Sequence, residues 1–271
     1  MISEAPAAPL SGSADRSPLR DLAGPVWGLC LVELQKLRHD RTELVTRAIQ
    51  PALWLLVFGE TFTRIHAIPT GNLPYLDYLA PGILAQSALF IAIFYGIQII
   101  WERDAGVLAK LLVTPIPRAA LVTGKAFAAG VRAVVQAIVM LILAALLGVA
   151  LTANPLRIAG ALLVLVLGAG FFSCLSMVIA GLALSRDRVM GIGQAITMPL
   201  FFASNALYPV ELMPSWLQAI NRVNPLGYQV DALRALLLGT PGHLGLDLAV
   251  LIVALAAGVA AASALLGRLT R

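Results

Sequence analysis

The sequence predicts an all-α membrane protein with six transmembrane helices, an N-terminal interfacial helix and an outer re-entrant helical hairpin between the fifth and sixth spans. Three observations lead there. The 271 residues are 59% hydrophobic and only 12% charged, with a mean hydropathy of +0.88, whereas a soluble domain carries about 25% charged residues. So few polar side chains do not cover an aqueous surface. The apolar residues come in uninterrupted blocks rather than in amphipathic stripes, and Lys and Arg gather in alternate connections between the blocks.

A membrane helix needs about 20 largely apolar residues to cross about 30 Å of hydrocarbon. Six segments qualify, at about 44–62, 79–101, 127–151, 158–184, 189–208 and 248–266. The first is the least clean, holding Arg47, Gln50, Pro51 and Glu60; the third has Arg132 near its start. The other four contain no charged residue. Ahead of them, Met1–Pro25 is rich in Ala, Pro, Ser and Gly and lacks the apolar run of a signal peptide, so it reads as a disordered cytoplasmic tail. Val26–Arg41 places Val26, Cys30, Leu34 and Leu37 on one helical face opposite Glu33, Lys36 and Asp40. That is an interfacial helix with Trp27 at headgroup depth, the alternative being an extension of the first span. Residues 26–271 then form one six-span domain.

Between the fifth and sixth spans, 209–247 lies outside the membrane by topology yet is still apolar, and its helical stretch is too short to cross. Pro214-Ser215-Trp216 marks a helix start, and Tyr228–Leu238 is a helical stretch of about 16 Å at 1.5 Å per residue. A re-entrant hairpin fits both, with Asn224-Pro225-Leu226-Gly227 as its turn.

An even number of spans puts both termini on one side. With the termini inside, the interior segments hold thirteen basic residues: Arg16, Arg20, Lys36, Arg38, Arg41, Arg103, Lys110, Arg118, Lys125, Arg186, Arg188, Arg268 and Arg271. The exterior holds four, Arg64, Arg157, Arg222 and Arg234. Basic residues favour the cytoplasmic side, so this bias sets the orientation and accounts for the net charge of +5 without a nucleic-acid partner.

The chemistry of enzymes is missing from the pattern. His39, His66 and His243 are far apart in sequence, and Cys30 and Cys174 sit in apolar surroundings as packing residues, so no metal site is expected. Gly124-Lys125 comes nearest to a phosphate loop, but Ala119 stands at the first required glycine and Ala126 replaces the Mg2+-holding hydroxyl. No catalytic residue is assigned, which speaks against an integral-membrane enzyme. An ion-coupled secondary transporter or channel is the alternative, and it would need intramembrane ionisable residues that four of the spans lack.

Two segments resemble the type-2 permease family of ABC transporters, the family of daunorubicin-resistance and lipo-oligosaccharide export permeases. From Thr197 the chain reads TMPLFFASNALYPVELMPSWLQAINRVNPLGYQVDALR, with Pro214, Asn224, Pro225, Leu226, Tyr228 and Arg234 at the family's signature positions. The loop WERDAGVLAKLLVTPIPRAALVTGK carries Gly106, Leu108, Leu111, Leu112, Thr114, Pro115, Gly124 and Lys125 in a similar pattern, with Ala109 where an acidic residue is common.

The resemblance implies the permease subunit of an exporter in the bacterial inner membrane, moving a hydrophobic or amphiphilic compound such as a drug-like molecule, a lipid or a lipid-linked saccharide. It implies two permeases, this chain with a second copy or a homologue, and two separate ABC ATPase subunits that bind the ATP and Mg; this chain binds no cofactor. It also implies a cytoplasmic coupling helix at about Arg103–Val113, where Leu108, Leu111 and Leu112 form an apolar edge beside Arg103, Asp104, Gly106 and Lys110. Separately, Phe90, Phe94, Phe201 and Phe202 are candidates to line an amphiphile path, with lipid-facing or helix-packing roles as the alternative. Ala254, Gly258 and Ala262 recur every four residues, a spacing for close helix packing, within the protomer in preference to a dimer seam.

Overall fold

The computed structural model describes residues 41–65, 68–71, 73–108, 110 and 117–268, with isolated helical positions at 28, 31 and 35. The tail over 1–25, and the interfacial helix over 26–41 apart from those positions, lie outside the described residues.

The described chain is helical, in the order α1 (Arg41–Leu53), a π-helical stretch (Trp54–Gly59), α2 (Glu60–Ile65), α3 (Tyr75–Asp104), α4 (Arg118–Leu146), α5 (Pro155–Ala183), α6 (Arg186–Phe202), a 3-10 turn (Val210–Leu212), α7 (Ser215–Val223), α8 (Pro225–Leu237) and α9 (Leu244–Leu266). Four of these, α3, α4, α5 and α9, are long and apolar enough to cross a membrane. The expected first span is covered by α1, the π stretch and α2 in unbroken succession, and the fifth by α6 with 17 residues. Pro51 inside α1 removes a backbone donor shortly before the helix widens into its π stretch.

Helix α5 sits at the centre, packed against α3, α4, α8 and α9. Small residues set these approaches. A Cβ at Gly96 of α3 would collide with Ser176 and the Ser173 carbonyl of α5. One at Gly258 of α9 would press on Cys174 and Phe171. With Ala262 also buried, the Ala254/Gly258/Ala262 stripe packs inside the protomer against α5, as the spacing suggests. Cys174 is a buried packing residue. The faces turned outward remain apolar, with Ile142 on α4 57% exposed and Val253 on α9 67% exposed. In water such faces would be a liability, whereas hydrocarbon solvates them.

Three boundaries correct the sequence reading. The third span, expected over 127–151, is a helix over Arg118–Leu146, so Arg118 and Lys125 are helical rather than in a loop. It ends early because Gly148 takes a left-handed conformation, φ +84°, letting the Val149 N–H reach back to the Ala144 carbonyl. The fifth helix stops at Phe202 rather than at 208, and residues 203–209 form a non-helical turn. Between α7 and α8 the break is Asn224 alone: Pro225, Leu226 and Gly227 already form the first turn of α8.

Candidate functional site

The signature residues gather where α3 begins and α6 ends. Asn224 works in two directions. Its side-chain oxygen accepts a hydrogen bond from the Leu226 N–H at 3.1 Å, capping α8, while its Nδ2 donates to the Leu200 carbonyl at 2.7 Å, near the end of α6. Pro225 occupies the first turn of α8, where its missing N–H costs nothing, and Leu226 is fully buried beneath. Tyr228 donates from its hydroxyl to the Arg222 carbonyl at 2.6 Å, tying α8 back to α7. Pro214 opens α7.

Arg234 is the keystone of this junction. It is 6% exposed and donates to three backbone carbonyls: Asn205 at 2.6 Å, Tyr78 at 3.3 and 3.4 Å, and Ala206 at 3.5 Å. Its NH1 lies 3.7 Å from Oδ1 of Asp231, which also accepts a hydrogen bond from Asn205 Nδ2. Tyr75 and Tyr78 donate their hydroxyls to the Leu207 and Asn205 carbonyls, each at 3.0 Å. The carbonyls of the turn after α6 are therefore satisfied by side chains of α3 and α8. Partial burial pushes the Asp231 carboxyl above its ordinary range, while the Arg234 charge pulls the other way. Sequence reading marked Arg234 but missed Tyr75, Tyr78 and Asn205; the two tyrosines three apart at a span's start were the available signal.

At the other end of α3, Asp104 joins two arginines. Its Oδ1 accepts from Arg103 at 2.7 and 2.9 Å, and its Oδ2 accepts from Arg186 of α6 at 2.7 Å. Arg103 NH1 also donates to the carbonyl of Leu184, at 2.9 Å. Leu184 closes α5 in a left-handed conformation, φ +56°. Nearby, Lys125 of α4 is buried with its Nζ 2.7 and 2.6 Å from the two carboxylate oxygens of Glu102. Lys125 thus sits in a helix and is held by Glu102, a setting unlike a phosphate-binding loop.

The segment expected to form one helix over 103–113 is divided. Arg103 and Asp104 belong to the last turn of α3, Ala105-Gly106 is a turn with Gly106 at φ +71°, and helical backbone resumes at Val107. The apolar edge also needs correction: Leu108 is fully buried in the core, whereas Val107 is 43% exposed and Lys110 is exposed. The left-handed turn at Gly106 changes the helical phase, so spacing counted through it assigns the wrong face. Leu111 and Leu112 lie outside the described residues.

The four candidate phenylalanines separate. Phe90 and Phe94 of α3 line an open cleft of about 410 Å3 together with Thr46, Gln50 and Ser87. Phe201 is fully buried, edge-on to Trp54 with ring centroids 5.9 Å apart, so it is a core residue and not part of an open path. Phe202, next to it, is 43% exposed on the outer face of α6.

Comparison with known proteins agrees with this arrangement. The family described as ABC-2 type transporter matches residues 26–238, which include α1 to α8. The chain is 31% identical over 206 residues to a putative transport permease, ycf38, of Cyanophora paradoxa, covering 74% of this chain and 70% of that protein. It is 28% identical over 205 residues to the daunorubicin resistance ABC transporter permease protein DrrB1 of Streptomyces coeruleorubidus, covering 76% and 72%. To nodulation protein J of Rhizobium leguminosarum bv. trifolii it is 30% identical over 173 residues, covering 63% and 65%. With its apolar helices long enough to cross a bilayer and a family match over most of its length, this membrane protein belongs to the ABC-2 type transporter family.

Proposed function

We propose that this chain is the permease subunit of an exporter in a bacterial inner membrane, driven by a separate ABC ATPase and carrying a hydrophobic or amphiphilic compound outward. The observation that carries the reading is the family match over 26–238 combined with the setting of Lys125. The one Gly-Lys pair that could suggest a phosphate loop lies inside a membrane helix, neutralised by Glu102. Energy therefore comes from a partner that binds ATP and Mg. Six spans are formed by α1–π–α2, α3, α4, α5, α6 and α9, with both termini cytoplasmic and α7–α8 dipping into the outer leaflet. Two permeases, identical or homologous, join two ATPases, and the cargo path runs between the permeases.

The region after α3 is the contact to the ATPase. Asp104 and its two arginines clamp α3 to the α5–α6 turn, so a push on the segment beginning at Val107 reaches α3, α5 and α6 as one body. The class of cargo is supported by a relative named for daunorubicin resistance and by the aromatic lining of the Phe90–Phe94 cleft. Co-purification tests the reading. Expressed with its partner ABC ATPase, the chain should form a stable complex whose ATP hydrolysis rises with substrate, while alone it should hydrolyse none. Hydrolysis by the isolated chain would overturn the proposal.

A further inference from the structure

The open cleft between α1 and α3 carries a polar group where hydrocarbon or a ligand meets it. Phe90 and Phe94 of α3 line it together with Thr46, Gln50 and Ser87, around about 410 Å3. Gln50 lies six residues into the expected span over 44–62, about 9 Å deep at 1.5 Å per residue. Its side chain is exposed, and no described residue donates to its amide or accepts from it. An amide that faces lipid without a partner is costly, because hydrocarbon offers nothing in place of water. Gln86, Gln136 and Gln229 are enclosed within the bundle beyond the reach of any ligand, whereas Gln50 opens on the cavity. Ser87 is buried and donates its proton to the Leu84 carbonyl at 2.8 Å, so its hydroxyl brings no donor to the cleft.

We propose that this cleft binds an aromatic compound bearing a hydroxyl or carbonyl group, with its ring against Phe90 and Phe94 and its polar group on the Gln50 amide. The inference deepens the cargo reading above and rests on it. The amide presents a carbonyl acceptor and two N–H donors side by side. A hydroxyl answers the carbonyl and a ketone answers the N–H groups, whereas a plain hydrocarbon leaves both unmet. Among the described residues that line the cleft none is charged, so a neutral polar group is matched and an ionised one meets no counter-ion there. The volume is that of a small-molecule site, and Phe94, 39% exposed, offers its ring to an aromatic body. Gln50 thereby decides which amphiphiles the cleft prefers.

Calorimetric titration of the purified chain in phosphatidylcholine nanodiscs tests it. The probe is β-naphthol, naphthalene is its counterpart without the hydroxyl, and empty nanodiscs give the partitioning to subtract. β-Naphthol should bind saturably and about tenfold or more tighter than naphthalene. Gln50→Leu, an apolar replacement at an exposed position, should erase that difference and leave naphthalene unchanged. Gln50→Met, which keeps the length and loses the amide, decides the matter if Gln50→Leu does not fold. Phe94→Ala should weaken both probes by a similar factor. Gln194→Leu, at an exposed glutamine of α6 that does not line the cleft, should change nothing. Equal binding of the two probes, a preference that survives the Gln50 variants, or affinities unmoved by Phe94→Ala would overturn the site. A wild-type chain without preference that loses self-association in Gln50→Leu would assign the amide to a second permease, and would overturn it equally. No ATPase or nucleotide is present, so such a failure leaves the exporter reading to its own co-purification test.

Discussion

The guanidinium of Arg234 stacks on the ring of Tyr78, 3.6 Å from the ring centroid, while donating to the same residue's carbonyl. Side chain and backbone of one residue at the start of α3 are thus both held by one residue of α8. Arg234 joins α3, the turn after α6 and α8 in a single polar knot at this end of the bundle.

Replacing Arg234 by Met keeps the length and removes the donors. The Ala206 carbonyl would then lose its side-chain donor, the Tyr78 and Asn205 carbonyls would each lose one donor, and Asp231 would lose its cation, at a combined cost of about 3 kcal/mol or more. Thermal unfolding in detergent should show a clear drop in Tm, and Arg234→Lys should recover only part of it because an ammonium lacks the planar fork. A wild-type Tm for Arg234→Met would show that the knot carries no stability.

Gly82 and Gly191 should respond in opposite ways to Ala. A Cβ on Gly82 would run into the Ala206 backbone, which has no room to move, whereas one on Gly191 meets nothing within 4 Å. Gly82→Ala should therefore cost about 1–3 kcal/mol from overpacking. Gly191→Ala, in the middle of α6, should be neutral or gain up to about 1 kcal/mol from helix propensity. Paired melting curves check both, and equal Tm values would argue against the close approach of α3 to the 203–209 turn.

Adjacent residues just after α3 should separate folding from coupling. Leu108→Asp puts a charge into the core and should reduce folded yield. Val107→Asp, on the exposed side, should leave folding intact and weaken association with the ATPase. Yield by fluorescence gel filtration and pull-down of the ATPase at matched expression distinguish the two. Unchanged pull-down and unchanged export in Val107→Asp would place coupling elsewhere.

The phenylalanines divide in the same manner. Phe201→Ala should cost about 3–5 kcal/mol by removing a buried ring. Phe94→Ala, at the open cleft, should barely move Tm but should alter export of an amphiphilic substrate. If export changes equally in both at matched stability, the cleft is not the path.

Orientation is open to labelling. Cysteines replacing Ala109 and Arg188 should react only with reagents admitted to the cytoplasm, and ones replacing Asn72 and Ser215 should react from outside. Labelling of Arg188→Cys in sealed cells by an impermeant reagent would invert the topology.

Residue order alone determined the solvent and the all-helical class. Long uncharged blocks such as 158–184 leave no choice but hydrocarbon, because a helix satisfies its own backbone hydrogen bonds and exposes only its side chains. Family membership was legible from the Pro214, Asn224-Pro225-Leu226, Tyr228 and Arg234 spacing, since each residue does a local job of opening, capping or tying a helix. What tertiary structure decided is which face each residue shows. Phe201 and Phe202 are neighbours with the same chemistry, yet one is enclosed by Trp54 and the other faces outward. Leu108 is buried although its spacing suggested an edge, because Gly106 resets the helical phase with a left-handed turn. In a chain that is apolar all round, periodicity no longer separates inside from outside, so partners distant in sequence make that choice. Asp104 with Arg186, Glu102 with Lys125 and Tyr78 with Arg234 are such pairs, and only the folded bundle brings them together.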